Sequence, residues 1–131
     1  MKKPILFFAF CMLILFPGFR CDKEEETLLS GCLKGKLEIK GVCMNYVISV
    51  QQGTYDPSLI EASWKDPITG NTYAKVFALG SLCDFPDTIK EGDEFYFNVV
   101  NKTDDNCAVC LAYRPVPEKH LQIKVNDKPC N

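Results

Sequence analysis

The sequence predicts an all-β domain over residues 32–131, built as a small barrel or a β-sandwich of six to seven short strands and stabilised by disulfides. Three observations predict it: apolar and polar residues alternate, turn residues recur at short intervals, and six cysteines fall within these 100 residues. A chain of 131 residues has room for one such domain.

Residues 33–50 predict the first hairpin. Alternating side chains over residues 33–40 are typical of a half-buried strand. Its core face carries Leu33, Gly35, Leu37 and Ile39. Gly41 permits a turn, and residues 44–50 alternate again, so a second strand is expected to pair with the first.

The rest of the domain predicts five more strands. They are expected at residues 62–65, 72–77, 95–100, 108–113 and 121–125. Asp56 and Pro57 favour a short helical turn between the hairpins, as cap and first-turn residue. In the strand at 95–100, Phe95, Phe97 and Val99 are expected to face the core. The long first hairpin and the Glu-Gly-Asp turn at residues 91–93 resemble an OB-type barrel, with a sandwich as the alternative.

Residues 1–20 predict a secretory signal peptide. Two lysines precede sixteen uncharged residues at 4–19, which as a helix would span about 24 Å against the roughly 30 Å of a bilayer core. Export is therefore favoured over a permanent span. An uncleaved N-terminal anchor is the alternative.

Cys21 follows the apolar segment directly and precedes the acidic run Asp-Lys-Glu-Glu-Glu. This arrangement resembles the signal of Bacteroidetes-type surface lipoproteins, whose acidic tail directs export. The resemblance implies that Cys21 carries acyl chains, that residues 21–31 form an acidic tether, and that the protein is anchored by lipid at the outer membrane or cell surface. Ordinary secretion is the alternative.

The charge of the exported chain argues against a nucleic-acid partner. Removing residues 1–20 removes three of the 15 basic residues and none of the 17 acidic ones, which leaves a formal net charge near −5. The remaining lysines are interspersed with acidic residues and form no cationic cluster that would neutralise phosphates.

Six of the eight cysteines follow Cys21 in the sequence. They are expected to pair as structural disulfides, in one of fifteen connectivities. They are Cys32, Cys43, Cys83, Cys107, Cys110 and Cys130. The Cys-x-x-Cys spacing of Cys107 and Cys110 has two alternative interpretations, a thiol–disulfide redox motif and half of a metal site. Acidic flanks disfavour the first, and the second has only His120 as an additional histidine ligand.

No arrangement of residues typical of catalysis is found, and no cofactor is expected. Tyr55, Trp64 and Tyr73 are the candidate binding residues, as an aromatic platform for a glycan or protein ligand. Thr88, in Asp-Thr-Ile, resembles the O-glycosylation sequon of Bacteroidetes-type exported proteins. The sequence thus predicts a non-enzymatic accessory or binding module of the cell envelope. A redox or metal-binding protein and a secreted inhibitor or immunity factor are the alternatives.

Overall fold

The computed structural model describes residues 30–104 and 106–131, and in this part the chain is all-β. The seven strands are β1 Leu33–Lys40, β2 Tyr46–Gln52, β3 Glu61–Lys65, β4 Thr72–Leu79, β5 Glu94–Val99, β6 His120–Leu121 and β7 Ile123–Asn126. Two short 3-10 turns, Val42–Met44 and Pro57–Leu59, connect strands. The predicted fold class, both predicted hairpins and the short turn capped by Asp56 are confirmed.

The strands belong to one sheet, in the order β3-β4-β2-β1-β5-β7. These neighbours are antiparallel, whereas β6 pairs in parallel with β4. Residues 120–126 therefore pair with β4 at one end and with β5 at the other. The pairing between β4 and β6 is short, because β6 has only two residues. The sheet does not close into a barrel, which was one of the two predicted alternatives.

The main core lies on one face of the sheet and is rich in aromatic residues. Phe95 and Phe97 are buried and their ring centroids lie 5.7 Å apart, and Phe97 also contacts Phe77 at 5.8 Å. Val99 is buried with them, so the predicted core face of β5 is confirmed. Each of these side chains contributes about 1.5 to 3 kcal/mol through burial of its apolar surface.

A second, smaller apolar cluster contains Ile39, which was predicted to face the main core. The register of β1 against β2 shifts between Leu37 and Ile39, which is a β-bulge. Ile39 consequently packs with Val47 and Val76 and not with the main core that holds Leu37. The prediction that Ile39 shares a core face with Leu37 is wrong for this reason.

The predicted strand at residues 108–113 is also wrong. These residues have no strand pairing, and all six are exposed. The apolar run Ala-Val-Cys-Leu-Ala-Tyr has the composition of a strand, but covalent bonds to two other parts of the chain hold it on the surface. This segment becomes the candidate site.

Candidate functional site

All six predicted cysteines are paired. Cys32 is bonded to Cys130, Cys43 to Cys110, and Cys83 to Cys107, with Cα–Cα distances of 5.5, 5.2 and 5.5 Å. The first bridge joins the start of β1 to the residues after β7. The other two both end in residues 107–113, which we call the stapled loop. Cys107 and Cys110 are not bonded to each other, as a Cys-x-x-Cys redox pair would be in its oxidised form.

The stapled loop presents apolar side chains to solvent. Leu111 is 98% exposed and Tyr113 is 81% exposed. Val109 is also exposed, and Val42, the neighbour of the bonded Cys43, is 61% exposed. The loop sequence Cys-Ala-Val-Cys-Leu-Ala-Tyr contains no charged residue. Several large apolar side chains exposed on one short segment are typical of interaction sites.

Asn45 fixes the loop to the turn before β2. Its Nδ2 donates hydrogen bonds to the carbonyl oxygens of Val42, at 2.7 Å, and of Ala112, at 2.9 Å. Cys43 and Met44 have left-handed backbone conformations, with φ of 52° and 58°. Such conformations are unfavourable for residues other than glycine, so the surrounding bonds must hold the turn in place.

A buried ion pair holds the end of the loop. The Arg114 guanidinium donates to the Asp66 carboxylate at 2.8 Å, and Asp66 has no exposed surface. The Ile68 N–H and the Thr69 hydroxyl donate to the same carboxylate, at 3.0 and 2.8 Å. Burial raises the pKa of Asp66, but these hydrogen bonds and the charge of Arg114 outweigh burial and bring the pKa below its ordinary value.

Acidic residues lie beside the loop. Asp84 follows the bonded Cys83, and its carboxylate accepts a hydrogen bond from the Asp104 N–H at 3.2 Å. Both residues are exposed. The apolar loop is therefore flanked by negative charge on the side of the Cys83–Cys107 bridge.

A pocket of about 260 Å³ opens next to the loop. Its lining residues come from the turn before β2, from the end of β4 with the residues after it, and from the segment leading to β6. They are Cys43, Met44, Asn45, Tyr46, Ala78, Leu79, Gly80, Leu82, Val116 and His120. The pocket has no local signal in the sequence, because its walls are separated from one another by more than 30 residues.

The three predicted aromatic binding residues do not share one surface. Trp64 and Tyr73 are directly paired between β3 and β4, with stacked rings whose centroids lie 6.2 Å apart, and they pack against the cluster of Ile39. Tyr55 packs against the main core. A ligand platform made of all three residues is therefore not assembled.

The remaining predicted positions are placed as follows. Thr88 is exposed in the turn before β5, and its glycosylation stays a prediction. Cys21 lies outside the described residues. Within the described part of the chain, no helix is long and apolar enough to cross a membrane, and no group of three or more His, Cys, Asp or Glu side chains is arranged to hold a metal ion.

Comparison of the chain with protein-family models, with curated proteins and with solved structures finds no match.

Proposed function

We propose that this protein is a non-catalytic binding module of the cell envelope that binds another protein through the stapled loop. The observation that carries the proposal is the exposure of Leu111 and Tyr113 on a loop fixed by two disulfides. Burying two such side chains in a partner supplies roughly 3 to 6 kcal/mol of hydrophobic free energy before the costs of association.

The anchoring of the loop supports a binding role because it lowers one of these costs. A flexible loop loses conformational freedom when it binds, at about 0.5 to 1.5 kcal/mol for each immobilised side chain and more for the backbone. The two disulfides, the Asn45 hydrogen bonds and the Arg114–Asp66 pair restrict the loop before binding. More of the gross interaction energy then appears as affinity.

Charge and position favour a protein over a membrane as partner. Asp84 and Asp104 flank the loop, and carboxylates are repelled by anionic lipid surfaces. The Cys43–Cys110 bridge joins the loop to the turn after β1, whose eight residues span about 26 Å, whereas the tether would enter the domain before β1 begins. A chain anchored at Cys21 would thus hold the loop away from its attachment point. The complementary partner surface is an apolar cleft with a basic rim.

Acylation of Cys21 is the second part of the proposal, and it is tested separately by mass spectrometry of the mature N-terminus. We expect a chain that begins with a diacylglyceryl-modified Cys21. A mature chain with any other, unmodified N-terminal residue would contradict the anchor, and would favour a secreted inhibitor that uses the same loop.

The binding role is tested by comparing two variants that each remove one exposed aliphatic side chain. Leu111→Ala changes the stapled loop, whereas Ile68→Ala changes the turn between β3 and β4, where Ile68 is 63% exposed. The bait is the exported full chain with Cys21→Ser, so that lipid does not mediate capture. We expect a captured protein that is depleted at least tenfold by Leu111→Ala and retained by Ile68→Ala.

Two outcomes of this comparison would overturn the proposal. One is equal capture by both variants, which would mean that the loop is not the binding surface. The other is flotation of the same bait with vesicles of phosphatidylethanolamine and phosphatidylglycerol that depends on Leu111 without any captured protein. That outcome would assign the loop to a membrane.

A further inference from the structure

The pocket beside the stapled loop belongs to the same surface as the loop. Cys43 lines the pocket and is bonded to Cys110 of the loop. Asn45 also lines the pocket and donates to the carbonyl oxygen of Ala112. Val116, a third lining residue, follows Tyr113 by three positions. The stapled loop is therefore joined to the pocket wall by one disulfide and one hydrogen bond.

The volume of the pocket matches one large side chain. An apolar cavity of roughly 150 Å³ holds benzene, and sites for drug-sized ligands range from about 300 to 1,000 Å³. At about 260 Å³ the pocket lies between these limits. It has room for a substituted ring, but it is smaller than the usual site for a nucleotide or another large cofactor.

The lining residues favour an apolar ring over a basic side chain. Met44, Leu79, Leu82 and Val116 supply apolar surface. None of the ten described lining residues is Asp or Glu, so a cationic side chain would lose its hydration without gaining an ion-pair partner.

Asn45 lines this pocket, and its side chain carries an amide oxygen as well as the donating Nδ2. Its Nδ2 is used in bonds to Val42 and Ala112, while no described residue donates to its Oδ1. An amide oxygen accepts hydrogen bonds from hydroxyl groups. A phenol combines an apolar ring with one hydroxyl donor, which matches these lining groups.

We propose that the pocket receives a tyrosine side chain of the protein that binds the stapled loop, with the phenol hydroxyl donating to Asn45 Oδ1. This inference rests on the proposed function, because it assigns the partner's contact next to the loop. It makes the interface reciprocal: Leu111 and Tyr113 enter the partner, and a tyrosine of the partner enters this chain.

The test is an NMR titration of the isotope-labelled full chain with N-acetyl-L-tyrosinamide, N-acetyl-L-phenylalaninamide and p-cresol. We expect shifts of the backbone amides of Met44, Asn45 and Leu82 with p-cresol and with the tyrosine amide, at a Kd on the order of 1 mM. The phenylalanine amide should bind about fivefold more weakly, because it lacks the hydroxyl donor.

Two variants locate the binding. Leu82→Trp places a large ring at the pocket wall and should abolish the shifts, provided that its amide spectrum shows a folded chain. Leu111→Ala should bind the tyrosine amide with unchanged affinity, because Leu111 does not line the pocket. Since Leu111→Ala should lose the protein partner but keep the ligand, failure of the pocket and failure of the loop are distinguishable.

Three outcomes would overturn the inference. Equal affinity for the tyrosine and phenylalanine amides would remove the role of the hydroxyl. Binding of p-cresol without the tyrosine amide would assign the pocket to a free small molecule. Shifts confined to residues away from the pocket, or retained in folded Leu82→Trp, would place the binding elsewhere.

Discussion

The ion pair between Arg114 and Asp66 offers a sharp test of how the stapled loop is held. The Asp66 carboxylate is inaccessible to solvent and has three hydrogen-bond donors, of which Arg114 is the only charged one. Replacing Arg114 with Ala leaves this carboxylate buried without its cation. Removing one partner of a fully buried pair costs about 3 to 5 kcal/mol.

The expected cost here is somewhat lower, about 2 to 3 kcal/mol at pH 7. Asp66 keeps the Ile68 N–H and the Thr69 hydroxyl in Arg114→Ala, and the Arg114 side chain is itself partly exposed. For a domain of about 100 residues, such a loss lowers the melting temperature by roughly 10 °C or more. Urea unfolding followed by tryptophan fluorescence, with the three disulfides intact, measures the free energy directly.

A double variant separates the cost of an unpaired charge from the loss of packing. In Arg114→Ala with Asp66→Asn, the buried group is neutral and needs no cation, so we expect it to be more stable than Arg114→Ala alone by about 1 kcal/mol at pH 7. A loss of less than about 0.5 kcal/mol in Arg114→Ala, or further destabilisation by the second substitution, would mean that the Arg114 charge does not stabilise the buried carboxylate.

The pH dependence of this pair has a defined sign. Because the pKa of Asp66 in the folded protein is below its ordinary value, its contribution to stability is fully present above the unfolded pKa of about 3.9 and is lost as the pH falls through the folded pKa. Without Arg114 the folded pKa rises. The difference in stability between wild type and Arg114→Ala should therefore shrink as the solution is acidified below about pH 4.

Two further predictions concern the core of the domain. Cys32→Ser with Cys130→Ser opens a bridge of sequence separation 98, which should lower the free energy of unfolding in urea by about 4 to 5 kcal/mol; a loss below 1 kcal/mol would contradict this. Gly35→Ala should lower the free energy of unfolding by about 1 to 3 kcal/mol, because the added Cβ would lie 2.6 Å from the buried Phe97 ring. Gly31→Ala is the control: a Cβ there has nothing within 4 Å, so the free energy of unfolding should change little. Equal unfolding midpoints for the two alanine variants would be evidence against the tight contact.

Much of the sheet could be predicted because its signals are local. The alternation over residues 33–40 and the aromatic strand at 95–100 each indicate a core face without knowledge of the partner strand. The same rule is wrong at Ile39, because a bulge changes which face a residue occupies, and bulges have no period.

The candidate site could not be predicted because it depends on long-range bonds. Residues 108–113 have the composition of a strand, and only the bridges from Cys43 and Cys83 distinguish an exposed loop from a buried strand. The sequence alone allows fifteen ways of pairing these six cysteines. Likewise, Asp66 and Arg114 are 48 residues apart, so neither residue alone indicates a buried pair.

The most direct test of the central claim is photo-crosslinking in cells that produce the full chain with p-benzoylphenylalanine in place of either Leu111 or Ile68. Both positions are exposed and apolar, but only Leu111 belongs to the stapled loop. We expect a discrete adduct with another protein from position 111 and none of that mass from position 68. The same adduct from both positions, or crosslinks to lipid alone from position 111, would contradict the account.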